Sequence, residues 1–192
     1  MPLPNPFGWL SPVAQRRAFI VLFIVGLIVQ YAWSALDAPL KNDVAPKGML
    51  SFEVAGTMAK AQSIVASWDH PAQVSAGANL GLDYLFLFVY GGTIGLACVL
   101  VIRALSDWRW FAGLGLLLAW AQIPAVLFDI GEDCALLRIL LGGSESWLAG
   151  LAWACSMPKA ILYAAGMIYA IVGAVLIVAR KIFWRKPQRS VA

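Results

Sequence analysis

Four stretches of the chain are almost free of polar side chains: residues 18–36, 80–102, 111–130 and 160–179. Each holds roughly 20 residues, enough at about 1.5 Å per residue to cross a hydrocarbon core of about 30 Å. Lipid offers the backbone no hydrogen-bond partner, so such runs must satisfy their own peptide groups, and the pattern predicts helices. The expected fold is an all-α membrane protein, a single domain over residues 1–192 built as a bundle of four transmembrane helices.

Between the runs the pattern changes. Residues 37–79 form the longest polar interval and open with the turn-rich "DAPLKNDVAPKG". In "SFEVAGTMAKAQSIVASW" that follows, Glu53, Thr57, Lys60, Ser63 and Ser67 recur at helical spacing, opposite Phe52, Ala55, Met58, Ala59 and Val65. That alternation predicts an amphipathic helix over about 51–68, lying on or capping the outer face. "ALSDWRW" is a short link, so the second and third helices should be antiparallel neighbours. "GGSE" should end the third. "SWLAGLAWACSMPK" is apolar but too short to span, and reads as an interfacial or re-entrant piece or a kinked extension of the last helix. The lead "MPLPNPFGWLSPVAQ" carries four prolines and should be irregular.

Composition agrees with this frame. The chain is 61% hydrophobic and only 12% charged, about half the charge of an ordinary soluble domain. "QRRAFIVLFIVGLIVQ" has the basic start and apolar core of a signal peptide. Its run is longer than a typical signal core and no Ala-x-Ala follows, so it reads as an anchor. The charges are segregated. Arg16, Arg17, Arg103, Arg109, Arg180, Lys181, Arg185, Lys186 and Arg189 share one side with a single acid, Asp107. The positive-inside rule puts that side, and both termini, in the cytoplasm. The basic rim is a topology determinant near anionic lipid rather than a nucleic-acid site. Trp9, Trp108, Trp110 and Trp184 fall near the inner boundary, and Trp33, Trp68, Trp147 and Trp153 near the outer one.

At 100° per residue each span has one face that gathers its polar positions. The third aligns Gly115, Leu118, Gln122, Asp129, Glu132 and Asp133, with Arg138 on the opposite side. The second aligns Asp83, Leu87, Tyr90, Ile94 and Val101. The fourth aligns Lys159, Tyr163, Gly166, Ala170, Gly173 and Ile177, and the first aligns Gly26, Gln30, Ser34 and Asp37. The polar members crowd the outer half of the span. Intramembrane ionisable groups normally face a bundle interior or a water-filled cavity. The expected arrangement is an outward-facing acidic pocket, with Asp83, Tyr90, Gln122, Asp129, Glu132, Lys159 and Tyr163 as ligand-binding residues. Acids at a helix end can also simply mark where the chain meets water, and Lys159 can either snorkel to the interface or pair across the bundle.

The spacing of Asp129, Glu132 and Asp133 lets carboxylates at i, i+3 and i+4 share a proton or a divalent cation, and makes these three the candidate metal ligands. The same acids can act in general acid catalysis, or hold a cationic amphiphile with Tyr90 and Tyr163 adding aromatic faces. His70 is the only histidine, which argues against a multi-histidine zinc or haem site; it reads as a loop residue before Pro71. No nucleotide fingerprint and no Cys-x-x-Cys occurs, although Cys134 and Cys155 fall on one side and can pair. Gly91, Gly92 and Gly95 read as a close-packing surface.

The elements "GMLSFEVAGTMAKAQSIVASW", "LDYLFLFVY", "FDIGEDCALLR" and "PKAILYAAGMIYAIVG" resemble those of small four-span bacterial inner-membrane proteins of uncharacterised function. The resemblance covers residues 48–175 and implies an inner-membrane location and an outward acidic cluster; it supplies no catalytic assignment. The first expectation is thus a multi-pass membrane protein binding a small or lipid-like ligand. The alternatives are a membrane enzyme acting on a lipid or isoprenoid through its clustered carboxylates, and a structural subunit whose polar stripes pair with a partner membrane protein.

Overall fold

The computed structural model describes residues 4–183. The described chain folds into α1 (Pro12–Asp37), α2 (Met49–Glu53), α3 (Met58–Ser67), α4 (His70–Ala104), α5 (Arg109–Leu140) and α6 (Leu148–Phe183), with a 3-10 turn, Ala38–Leu40, after α1. Four of these, α1, α4, α5 and α6, are long and apolar enough to cross a bilayer. They pack as a bundle in which α5 lies between α4 and α6, while α1 packs along α4 and barely touches α5 or α6. Side chains such as Ile24, Ile28, Phe88, Leu117, Leu127, Ile168 and Val175 are exposed on its outside, as a surface solvated by lipid tails requires. The protein is a multi-pass membrane protein. Trp184, Arg185, Lys186 and Arg189 lie outside the described residues.

The apolar runs are the centres of longer helices. Asp69 accepts from Ala72 N at 2.9 Å and caps α4, with Pro71 in its first turn. His70 is therefore the first helical residue rather than part of a loop. At 35 residues, α4 extends about 52 Å, far more than a hydrocarbon core needs. "SWLAGLAWACSMPK" is largely the first part of α6, and Pro158 lies inside that helix rather than ending it. α5 stops at the glycine pair, where Gly142 takes φ +92° and Gly143 N bonds Arg138 O at 2.8 Å.

The projecting ends of α4, α5 and α6 carry a cap made from the loop after α1. Leu40, Met49, Phe52, Ile64 and Trp68 bury against Leu80, Leu136, Ile139 and Leu148. The amphipathic segment is two helices, not one. Gly56 takes φ +71° between them, a region that L side chains avoid, and Thr57 then caps α3. Its faces also differ from expectation: Ala61 and Ile64 are buried and Ala59 is exposed. Trp68 is no interfacial anchor; its indole N–H donates to Leu40 O at 2.8 Å inside the cap. Asp37 hooks the cap to α1 by accepting from Met49 N at 2.7 Å and pairing with Lys41 at 3.0 Å. Gly48 precedes it with φ +58°, where an added Cβ would collide with the Asp37 carboxylate.

A second core lies within the membrane span, around Leu87, Ile94, Val99, Phe111, Leu118 and Tyr169. Its helices approach through small residues, as expected of a membrane bundle. A Cβ on Gly91 would stand 2.8 Å from Val126, one on Gly92 2.9 Å from Leu22, and one on Gly166 2.6 Å from Ile94. The N-terminal lead is irregular but not free. Phe7 sits against Gly95, Trp120 Nε1 donates to Pro4 O at 2.8 Å, and buried Gln15 donates to Phe7 O at 2.7 Å. Trp120 thus satisfies its indole at mid-span.

Candidate functional site

The acidic cluster occupies the seam between the two cores. On α4, Asp83 lies between Leu80 of the cap core and Leu87 of the bundle core. On α5, Asp129, Glu132 and Asp133 fall on the helix's buried face, all 2% exposed or less. Lys159 of α6 reaches this face. Its Nζ donates to Asp129 Oδ1 at 2.8 Å and forms an ion pair with Glu132 Oε2 at 2.6 Å. Of the two expectations for Lys159, pairing across the bundle is the one observed. Tyr90 O–H donates to Asp129 Oδ2 at 2.7 Å. The Tyr163 ring stands edge-on to Tyr90 with centroids 5.2 Å apart.

A cavity of about 340 Å³ opens over these groups, walled by Asp83, Asp129, Lys159, Tyr90 and Tyr163 and by Gln30, Trp33 and Phe86. Its size falls within the usual range for small-molecule sites, about 300–1,000 Å³. Glu53, from the end of α2, completes the wall. Burial raises the Glu53 carboxyl above its ordinary range; Lys159 opposes that shift and the Asp129 and Asp37 carboxylates add to it.

Five carboxyl groups therefore surround one ammonium, and the protein serves them unequally. Asp129 and Glu132 share Lys159, whereas Asp83 and Asp133 accept no hydrogen bond among the described residues, and Asp133 Oδ2 is fully enclosed without a partner. Asp83, Asp129 and Asp133 each offer an oxygen within 4.8 Å of the others. This trio differs from the expected Asp129, Glu132 and Asp133, because the ion pair draws Glu132 toward α6 and Asp83 takes its place. An all-oxygen donor set of that kind suits a hard divalent cation such as Ca²⁺, Mg²⁺ or Mn²⁺.

Other expected members stand elsewhere. Gln122 is buried below the cavity, where its amide donates to Leu118 O at 3.1 Å and Leu162 O at 3.4 Å. It fastens α5 to α6 and does not line the acidic cavity. The stripe on α1 converges in part: Gly26 and Gln30 face the space beside α4 and α6, whereas Ser34 is exposed and bonds back to Gln30 O at 2.8 Å. Arg138 does point away from the acids, pairing with Glu145 at 3.0 Å. Cys134 and Cys155 are unpaired; Cys134 Sγ lies 3.2 Å from Tyr84 O–H and Cys155 beside Gly131. Glu53 was absent from the expected set because its helical spacing placed it on a solvent face. The available signal was Gly56, which breaks that spacing.

Fold and site together define a four-helix, multi-pass membrane protein with a buried carboxylate–lysine cluster under a cap. No protein-family model, no curated protein and no solved structure matches the chain.

Proposed function

We propose that the cluster is an outward-facing acidic pocket that binds a small cationic or lipid-like ligand, in a protein of the bacterial inner membrane. One observation carries this reading: Asp83 and Asp133 are buried carboxyl groups for which the protein supplies no donor. A buried polar group left unserved costs about 1–3 kcal/mol, more when charged, and packing alone does not need it. Asp83 lines the cavity, so a ligand with a positive charge or several N–H donors would supply what it lacks and would offset the Asp133 carboxyl packed close behind it. Orientation follows from the bundle's other end, which gathers Arg16, Arg17, Arg103, Arg109, Arg180 and Lys181 and belongs in the cytoplasm by the positive-inside rule.

The test is binding of butylammonium, read as thermal stabilisation of the purified protein. Asp83→Asn and Asp133→Asn should each weaken it by about tenfold or more, about 1.4 kcal/mol. Equal stabilisation of wild type and both variants would return these acids to the role of boundary markers. The oxygen triad of Asp83, Asp129 and Asp133 favours a second reading, a membrane enzyme that uses a divalent cation on a lipid or isoprenoid substrate. In that case manganese chloride, not butylammonium, stabilises the wild type, and the same substitutions abolish the effect.

A further inference from the structure

The acidic cavity has a neighbour on the other side of its tyrosines. A second cavity of about 200 Å³ shares Gln30, Phe86, Tyr90 and Tyr163 with it and continues toward mid-membrane. Phe23 and Leu27 of α1 and Met167 of α6 wall this extension, and Ile94 of α4 forms its floor. The two walls belong to helices that barely touch one another, since α1 packs on α4 alone. Phe23 is 48% exposed and Leu27 58% exposed, so the space between α1 and α6 opens sideways onto lipid. A polar chamber at the membrane boundary thus joins an apolar slot with a lateral mouth.

We propose that the site takes a single-chain cationic amphiphile, a primary ammonium head on one hydrocarbon tail, entering from the membrane between α1 and α6. This rests on the ligand-binding reading above and specifies its ligand. The head is chosen by charge and donor count. An ammonium brings three N–H donors and no acceptor, while Asp83 lines the cavity with no protein donor and the unpartnered Asp133 carboxyl lies within 4.8 Å of it. An anionic head finds no free cation, because Lys159 is already held by Asp129 and Glu132. The rings of Tyr90 and Tyr163 line the junction, where aromatic faces attract a cation. The tail is chosen by the slot. From Lys159 to Met167 the helix rises about 12 Å, and below Tyr163 the slot wall on α6 is apolar. Lateral entry lets the tail stay in an apolar medium throughout while only the head crosses into the chamber.

The experiment compares dodecylammonium with butylammonium on the full chain in phosphatidylcholine nanodiscs, each corrected for partition into empty nanodiscs. Dodecylammonium should bind about tenfold tighter or more, and Met167→Trp, which fills the slot, should weaken it at least about tenfold more than it weakens butylammonium. Ile168→Trp, the same bulk on an exposed neighbour, should leave both affinities at wild-type values and serves as the folding control. Equal affinity for the two chain lengths, or a Met167→Trp protein that still prefers the long chain, overturns the tail slot while leaving the acidic pocket standing. Tighter binding of dodecyl phosphate than of dodecylammonium overturns the cationic head. Failure of both ammonium probes to bind the wild type removes the acidic-pocket reading and this inference with it.

Discussion

Lys159 and the two unserved aspartates belong to one cluster, yet their substitution should move stability in opposite directions. The ammonium sits between carboxylates whose side chains are 3% and 0% exposed. Removing one partner of a buried ion pair leaves an uncompensated charge and costs about 3–5 kcal/mol. Lys159→Met should therefore destabilise the protein by about that amount, read as a lowered unfolding midpoint in detergent. Asp83→Asn and Asp133→Asn remove carboxyl groups that no protein donor serves, so the unliganded variants should be at least as stable as wild type while losing the ligand. A loss in all three would mean that the aspartates carry structural bonds. The sector that gathers Asp129, Glu132 and Asp133 was legible in the sequence because helical geometry fixes direction. Partners were not, because a partner depends on how two helices are rotated against each other. That rotation gives Glu132 to Lys159, brings Asp83 beside Asp129, and sends Gln122 to the backbone of α6.

At the scale of the element, α2 matters more than its five residues suggest. It buries Met49 and Phe52 in the cap and leaves Glu53 against the cavity. Burial raises the Glu53 carboxyl above its ordinary range, against the pull of Lys159 and with the push of Asp129 and Asp37. The folded state therefore favours the protonated form. Where the folded protein holds a proton that the unfolded chain has released, stability falls with rising pH. Docking of α2 should be firmest at acid pH and loosen as pH rises from the ordinary carboxylate range through the raised one. Hydrogen exchange of residues 49–53 should quicken along that series, and Glu53→Gln should flatten it; a flat wild-type profile would show that Glu53 is not held protonated. The elements differ in how far they could be read ahead. Membrane spans were legible because lipid imposes a single solution on a long apolar run. The cap was not, since a helix that packs on three others in water follows its contacts. The break at Gly56 changes which side of the segment is buried.

The molecule as a whole has two cores in two solvents, and the site lies where they meet. The bundle core is enclosed by helices whose outer surfaces face lipid, and its backbone bonds have no competitor for them. The cap core is built on short pieces: ten residues of α3, five of α2 and a 3-10 turn, docked on the projecting ends of α4, α5 and α6. Short helices of that length are marginal in water and persist only through their packing. The cap should therefore open as a unit well below the free energy that unfolds the bundle. In nanodiscs, amides of residues 58–67 should exchange together and faster than those of residues 87–99 and 115–126, which stay protected. The coupling to the site gives this a sharper form. Glu53 and Leu50 close the cavity from the cap side, while Asp83, Asp129 and Lys159 close it from the bundle, so a ligand that touches both halves must oppose cap opening. Saturating dodecylammonium should slow exchange in α2 and α3 together and leave the middle of α4 and α5 unchanged. Slowing confined to α4 and α5 would place the ligand wholly within the bundle. Uniform protection of cap and bundle without ligand would mean that the two cores fold as one.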